Sequence, residues 1–263
     1  MNEIAGISWI NLSLGYVLLI IPLFLLWYFQ TGLVKDTIIA LARMTIQLSL
    51  VGVYLKFLFD LNAGWLNVTW VFVMLVVATF SVTKRSELKQ RMFFLPVFLA
   101  VFLSVLLIDA FFLGVVIKLP NVYDARYLIP ITGMIIGNTL KSNIMALNSF
   151  YSEVSKNQEY YQFSLANGAT RREATGPYIS KALRQAFNPT IATMSVVGII
   201  SLPGMMTGQI LGGSDPDVAV RYQIMIMISI FIVGTLSAML SIIFSNMVVF
   251  DAYDKFKENP MRK

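Results

Sequence analysis

The stretch FFLPVFLAVFLSVLLIDAFFLGVVI, residues 93–117, contains a single charged side chain, Asp109. About 20 helical residues cross the hydrocarbon core of a bilayer, and this stretch is longer than that. Backbone groups in lipid must find hydrogen bonds within their own segment, and the alternating pattern of a barrel strand is missing here. The stretch therefore predicts a helix that crosses a membrane.

Six further apolar segments lie on the two sides of this one. Short polar stretches separate most of them, and one long polar region follows the fifth. The sequence therefore predicts an all-α fold, a polytopic transmembrane helical bundle of about seven spans. The predicted spans are residues 9–29, 37–59, 66–82, 93–117, 127–145, 187–213 and 222–250.

The composition fits a chain that meets lipid over most of its surface. Hydrophobic residues make up 57% and charged residues 13% of the 263 residues, whereas soluble domains have about half and a quarter. Seven spans use almost the whole length, so we expect a single transmembrane domain over residues 1–263. Residues 1–4, MNEI, lack the positive start of a cleavable signal, so we expect the first span to be retained.

Two residue types that serve enzymes and metal sites are missing from the chain. It has no cysteine and no histidine, which excludes disulfides, thiol nucleophiles, imidazole bases and the usual zinc ligands. We therefore expect a transport subunit and not an enzyme. The net charge of +6 is interpreted as the loop bias of a membrane protein, with no nucleic-acid partner.

The positive charges predict the orientation of the chain. If the N-terminus lies outside, fifteen of the 20 Lys and Arg residues fall on inner segments and Arg43 falls within a span. This asymmetry follows the positive-inside rule, so we expect the N-terminus outside and the C-terminus inside. The four remaining charges, at outer ends, are Lys56, Lys118, Arg126 and Arg221.

The longest polar region, residues 146–186, is expected to project into the cytoplasm. Apolar residues at steps of three and four indicate that its first half continues the fifth span as one helical rod over residues 127–166. Gly168 is predicted to end this rod, and Thr170 with Glu173 forms a capping box that starts a new helix. Gly176 and Pro177 are predicted to end this short transverse helix and to start a return helix. Such a tip suits docking by another subunit, and an ordinary solvated loop is the alternative.

Short strings along the chain, taken in order, resemble those of a known family. They are RMTIQL at 43–48, IPITGMIIGN at 129–138, GAT at 168–170, SLPGMMTG at 201–208, and DP at 215–216 before YQIM at 222–225. The chain resembles the FetB-like permeases of ABC transporters, which are associated with iron export in bacteria and, in related plant half-transporters, with aluminium tolerance. One departure is QFS at 162–164, where ABC importers usually carry Glu-Ala-Ala. This departure suits a divergent or exporting branch.

The resemblance implies a separate ATPase subunit. The chain has no G-x-x-x-x-G-K-[ST] phosphate loop, so ATP and Mg would be bound by the partner and no cofactor by this chain. Two copies of the chain would pair with two ATPases. The residues implied in ATPase coupling are Ala166, Asn167, Gly168, Ala169, Thr170, Arg171, Arg172, Glu173 and Ala174.

Eight residues within the predicted spans are candidates for the translocation pathway or a gate. Arg43 and Gln47 share a helix face, and such a cation either lines a cavity or anchors the helix at the interface. Asn138 lies near mid-membrane beside a glycine pair, for which helix packing is the alternative role. Proline followed by glycines predicts a broken sixth span, which either exposes backbone groups to cargo or forms a packing seam. The set is Arg43, Gln47, Asn138, Pro203, Gly204, Met205, Met206 and Gly208.

No metal ligand set follows from the sequence. Met205, Met206, Met225 and Met227 lie close together in the chain, and thioethers suit Cu(I), although core filling is the commoner role of methionine. Asp109 is expected near the outer surface, where it either contacts an exiting cation or is merely interfacial.

The expected function is that of an ABC transporter permease in the cell inner membrane, a multi-pass subunit that exports metal ions, iron by the resemblance. The alternative is a stand-alone secondary transporter or channel driven by an ion gradient. That alternative favours ionisable residues at the midplane of the membrane, of which this sequence offers few.

Overall fold

The structure is a computed structural model that describes residues 8–257 and 259–261. The expectation about residues 1–4 lies outside these residues, as do Arg262 and Lys263, two of the charges used to predict the orientation.

Helices form nearly all of the described chain. Isolated bridges such as Leu88 with Met261 are the only β pairing in this part of the molecule. An all-α fold is therefore confirmed. The helices are α1 (Trp9–Val17), α2 (Ile20–Tyr28), α3 (Val34–Leu61), α4 (Gly64–Arg85), α5 (Gln90–Asp109), a π-helix (Ala110–Val116), α6 (Ala125–Lys156), α7 (Gln158–Ala166), α8 (Arg171–Val196), α9 (Gly204–Leu211) and α10 (Pro216–Val249).

Five helical stretches in the described part are long and apolar enough to cross a membrane. The predicted spans 127–145 and 187–213 do not appear among them. The first lies within α6, which carries Lys141 and several amide and hydroxyl side chains, and the second is divided between α8 and α9. The five stretches are Ile10–Tyr28, Val34–Leu61, Gly64–Arg85, Gln90–Val116 and Pro216–Val249.

The chain divides into two compact units, Met1–Leu61 and Asn62–Lys263. In the first unit, the hydroxyls of Tyr16 on α1 and Thr45 on α3 share a hydrogen bond of 2.6 Å. The large apolar side chains of this unit are mostly exposed, as expected where lipid and not water is the solvent.

In the second unit, α10 packs against α5 and α6, and α6 packs against α4 and α8. The face of α10 that meets these helices carries small residues, which let helix backbones approach closely. A Cβ atom at Gly234 would lie 3.2 Å from the Ser142 hydroxyl and 3.4 Å from Phe187. The other small residues that are buried on α10 are Ala219, Ser229, Ser237, Ala238, Ser241 and Ser245.

Two predictions about the polar region are corrected. The rod is not continuous, because α6 ends at Lys156 and Asn157 (φ −111°, ψ 36°) leaves the helical conformation before α7 begins. The short transverse helix and the return helix are one helix, since α8 runs from Arg171 to Val196 with Pro177 inside it. A proline inside a helix removes one backbone hydrogen bond and can bend the helix without ending it.

The break predicted in the sixth apolar segment is present. The helix α8 ends at Val196, α9 begins at Gly204, and residues 197–203 between them are not helical. Gly198 has a φ of +90° and its N–H donates to the Ser201 carbonyl at 2.9 Å. The connection is therefore an ordered turn.

Candidate functional site

The turn between α7 and α8 forms as its sequence predicts. The helix α7 ends at Ala166, and Gly168 follows with a φ of +90°, a conformation that glycine adopts without strain. Thr170 then caps α8: its hydroxyl accepts from the Glu173 N–H at 3.3 Å, and its own N–H donates to the Glu173 carboxylate at 2.8 Å. We call residues 166–174 the hairpin tip.

The capping box fixes the charge of Glu173. The carboxylate also accepts from the Thr170 hydroxyl at 2.7 Å. Hydrogen bonds from the side chain and then the backbone of Thr170 hold the pKa of Glu173 below its ordinary value. The first turn of α8 therefore carries a stable negative charge beside the positive end of the helix dipole.

Two neighbouring arginines at the hairpin tip differ in their surroundings. Arg171 forms an ion pair with Asp254, with 3.2 Å between nitrogen and oxygen, and its guanidinium carbon lies 5.6 Å from the centre of the Phe250 ring. Arg172 is exposed and has no carboxylate of the described residues within ion-pair distance. Arg171 is therefore engaged by contacts within the chain, although it is partly exposed, while Arg172 is free to contact another molecule.

The contact of the C-terminal segment with the hairpin was not predicted. The Tyr161 hydroxyl on α7 donates to the Asp254 carbonyl at 2.8 Å, and burial followed by the charge of Asp254 raises the pKa of Tyr161 to about 12. The N–H of Lys89, between α4 and α5, donates to the Pro260 carbonyl at 3.1 Å. The segment after α10 thus connects the α7–α8 hairpin to the α4–α5 turn. Alternating aromatic and acidic residues after the last span are the only trace of this role in the sequence.

A second contact joins the hairpin to α6 nearer its base. Lys181 on α8 and Glu153 on α6 form an ion pair of 2.9 Å between nitrogen and oxygen. Ala182 and Tyr178 on α8 are buried, in the face that α8 turns toward its neighbours. The hairpin is therefore joined to α6 by this ion pair and by the packing of α8 against α6.

A cavity of about 500 Å³, which we call the break cavity, lies at the break between α8 and α9 and is lined by residues of α6, α8, α9 and α10. It brings together four of the residues predicted for the pathway, one of which is more than 60 positions away from the other three in the chain. Polar lining side chains include Lys141, Thr190, Thr193 and Gln223. The four predicted residues are Asn138, Pro203, Gly204 and Met205.

The other predicted pathway residues lie elsewhere. Met206 lines a second cavity of about 390 Å³, which shares Pro203 and Gln223 with the first. Gly208 lies on α9 and is not among the residues that line either cavity. Arg43 and Gln47 lie one turn apart on α3 in the first unit, with exposed side chains.

Asp109 lies in a different, mostly apolar cavity of about 360 Å³ between α4, α5 and α6. Its side chain is only 6% exposed, and one carboxylate oxygen accepts from the Thr132 hydroxyl at 2.6 Å. The other oxygen has no hydrogen-bond partner among the described residues. The sequence-based prediction used only the position of Asp109 along its span, and it did not include this burial. The π-helix that follows directly after Asp109 is a feature often found at functional sites.

The described residues contain no group of three or more His, Cys, Asp or Glu side chains that could hold a metal ion.

Residues 9–250 match the family described as Uncharacterised protein family (UPF0014). The chain belongs to UPF0014. UPF0014 membrane protein YjkA of Bacillus subtilis is 32% identical over 253 residues, which cover 96% of this chain and 99% of that protein.

Two further relatives in UPF0014 carry informative names. The Probable iron export permease protein FetB of Escherichia coli is 29% identical over 88% of each chain. UPF0014 membrane protein STAR2 of rice (Oryza sativa subsp. japonica) is 31% identical over 81% of this chain and 73% of that protein. No solved structure matches the chain. The apolar helices and these relatives identify a multi-pass membrane protein.

Proposed function

We propose that this UPF0014 protein is the permease subunit of an ABC transporter in the cell inner membrane and exports metal ions, iron among them. A separate subunit would bind ATP and Mg and hydrolyse ATP, and two copies of each subunit would assemble. The name of the Escherichia coli relative supports iron as cargo. The chain itself would not be an enzyme.

The hairpin tip is the observation that carries this proposal. Its backbone is fixed by Gly168 and by the capping box of Thr170, and it presents Arg172 to the solvent. The ion pair between Glu153 and Lys181 connects the hairpin to α6, which lines the break cavity through Asn138 and Lys141. An ATPase that moves the tip would therefore act on the wall of the cavity.

Reconstitution tests this proposal. The chain is purified from its native membranes together with the proteins that bind to it. Liposomes are then prepared that contain the chain with or without the co-purified subunit, and they are loaded with iron. We expect iron to cross only when the second subunit and ATP are both present. Co-purification of no ATPase, or equal transport without ATP, would contradict the proposal.

One observation favours a gradient-driven transporter as the second candidate. Asp109 is a buried carboxyl group with a single hydroxyl partner in the described chain, and ionisable groups in spans often carry protons or ions. Under this alternative, the chain alone would transport when an ion gradient is imposed. Loss of that transport in an Asp109→Asn variant would favour the alternative over the ABC permease.

A further inference from the structure

We propose that the break cavity binds its cargo through an anionic oxygen group, a carboxylate or a phosphate. If the protein exports a metal, the metal then leaves as a chelate of net negative charge and not as a bare cation. This inference rests on the proposed function, because it names the class of cargo for the same permease.

The charge of the cavity lining is the first support. Among the described residues, Lys141 is the only charged residue that lines the cavity, and none of the aspartates or glutamates of this part of the chain lines it. Lys141 has no carboxylate partner among the described residues. A bare divalent cation would meet a positive charge here without the carboxylates or imidazoles that such ions require.

The start of α9 is the second support. Pro203 precedes the helix and no side chain caps it, while Thr207 donates the first helical hydrogen bond, to the Pro203 carbonyl at 3.0 Å. The N–H groups of the first residues of α9 therefore have no acceptor within the helix. Pro203, Gly204 and Met205 lie in the cavity wall. Broken membrane helices present such positive ends to anionic substrates.

Gln223 is the third support and is independent of charge. Its side chain is 8% exposed, lines both cavities, and makes no hydrogen bond with any described residue. Neither amide atom of Gln223 is fully buried without a partner, so the amide faces the open space of the cavities and is available to a ligand. Its NH₂ group can donate to a carboxylate or phosphate oxygen of the cargo, together with Lys141 and the start of α9.

The methionines that line the cavity suggest a different ligand, a soft metal cation. Met134, Met145, Met205 and Met227 face the same cavity, and thioethers bind soft cations such as Cu(I). A soft cation would need several sulfur atoms to gather around it and would be repelled by Lys141. The hydrogen-bond donors and the single positive charge favour the anion.

Binding by the full chain in lipid nanodiscs tests this inference. Isothermal titration calorimetry with citrate, ferric citrate, inorganic phosphate, Fe²⁺ and Ag⁺ compares the two chemistries, with Ag⁺ in place of Cu(I). We expect ferric citrate or one of the free anions to bind. In a Lys141→Gln variant, Kd for that ligand should rise on the order of tenfold, as for the loss of one charge-assisted contact.

Two further variants control this experiment. Lys156→Gln removes a lysine at the far end of the same helix, outside the cavity, and should leave Kd unchanged. Gln223→Leu keeps a side chain of similar size and should weaken anion binding. If both lysine variants behave alike, the assignment of Lys141 is wrong. Binding of Fe²⁺ or Ag⁺ in the absence of anion binding, or binding of no probe at all, would overturn the inference.

The outcome is separable from the test of the proposed function. An ATPase that co-purifies with the chain while no anion binds would leave the permease proposal intact and remove the anionic cargo. Anion binding without any ATPase would have the opposite meaning, because the cavity would then serve a different kind of transporter.

Discussion

Arg171 and Arg172 are adjacent in the chain, yet only one of them is available to a partner. Arg171 is occupied by Asp254 and by the Phe250 ring, while Arg172 is exposed without an ion pair in the described structure. Sequence reasoning assigned both to ATPase docking, since a pair of neighbouring cations gives no sign of which is satisfied. The difference comes from residues about 80 positions away in the chain, which no local pattern could reveal.

Charge reversal at the two positions should therefore have different effects. Arg172→Glu should reduce the amount of ATPase that co-purifies and leave the thermal unfolding temperature of the chain unchanged. Arg171→Glu should also lower the unfolding temperature slightly, because an exposed ion pair and a cation–π contact each contribute about 1 kcal/mol or less. Pull-down with quantified ATPase and thermal unfolding in nanodiscs give both readouts. Equal effects of the two variants on unfolding would contradict the division of roles.

Glu173 makes the start of α8 sensitive to acid. The pKa of Glu173 is lower in the folded chain than in the unfolded one, so its contribution to stability is present above its unfolded pKa, about 4.3. The contribution is lost as the pH falls through the lowered folded value. A Glu173→Gln variant should therefore be less stable than the natural chain at pH 7, and the difference should vanish at an acidic pH below the lowered folded pKa. Unfolding temperatures at the two pH values measure this, and a difference that persists at low pH would rule out the charge as its cause.

At the scale of elements, the α7–α8 turn was predictable because its chemistry is local. Gly168 supplies the left-handed conformation, and Thr170 with Glu173 supplies the cap three residues apart. The prediction that a helix ends at Pro177 was wrong, because packing beyond the turn of a proline decides whether the helix ends there. Ala174, Thr175 and Tyr178 around it are buried, so tertiary contacts keep α8 continuous.

Two glycines of the hairpin should respond in opposite ways to the same substitution. Gly168→Ala forces a side chain into a φ of +90° and should destabilise the chain by about 1 kcal/mol. Gly176 lies inside α8 with no atom within 4 Å of an added Cβ, so Gly176→Ala should stabilise it by up to about 1 kcal/mol. Chemical unfolding in detergent compares the two variants. If Gly168→Ala proves neutral, the turn does not hold the described conformation.

The packing of α10 against α6 and α8 gives a sharper test of the bundle. A Gly234→Val side chain would meet Ser142 and Phe187 at contact distance or closer and should destabilise the chain by about 1–3 kcal/mol. Gly137→Val on α6 is the matched control, because no atom lies within 4 Å of its added Cβ. Unfolding temperatures of the two variants should differ clearly, and similar values would mean that α10 is not packed in this way.

At the scale of the whole molecule, the apolar segments and the ordered strings were enough to predict a membrane protein and its family. They were not enough to predict which residues line the break cavity. Lys141 was counted as a charge that sets orientation, and Gln223 was not singled out at all. Both line the break cavity because α6 and α10 pack beside each other, which is a long-range consequence of small residues on α10. Asn138, Pro203, Gly204 and Met205, which also line the cavity, had been predicted as pathway candidates because proline, glycine and an amide within an apolar segment are local signals.

The helices α8 and α6 connect the hairpin tip to the break cavity along one path of contacts, which includes the Glu153–Lys181 ion pair. We propose that an ATPase bound at the tip moves α6 and thereby opens or closes the cavity. The α7–α8 tip is the point where this path would meet the second subunit.

Site-specific cross-linking at the tip tests this proposal most directly. The chain has no cysteine, so Arg172→Cys introduces a unique thiol, and Ser214→Cys places one in the α9–α10 turn, which the predicted orientation puts outside. In membrane vesicles that contain the co-purified ATPase, Arg172→Cys should cross-link to that ATPase and Ser214→Cys should not. An ATPase that co-purifies with the chain but cross-links to neither position, or to both equally, would contradict docking at the hairpin tip.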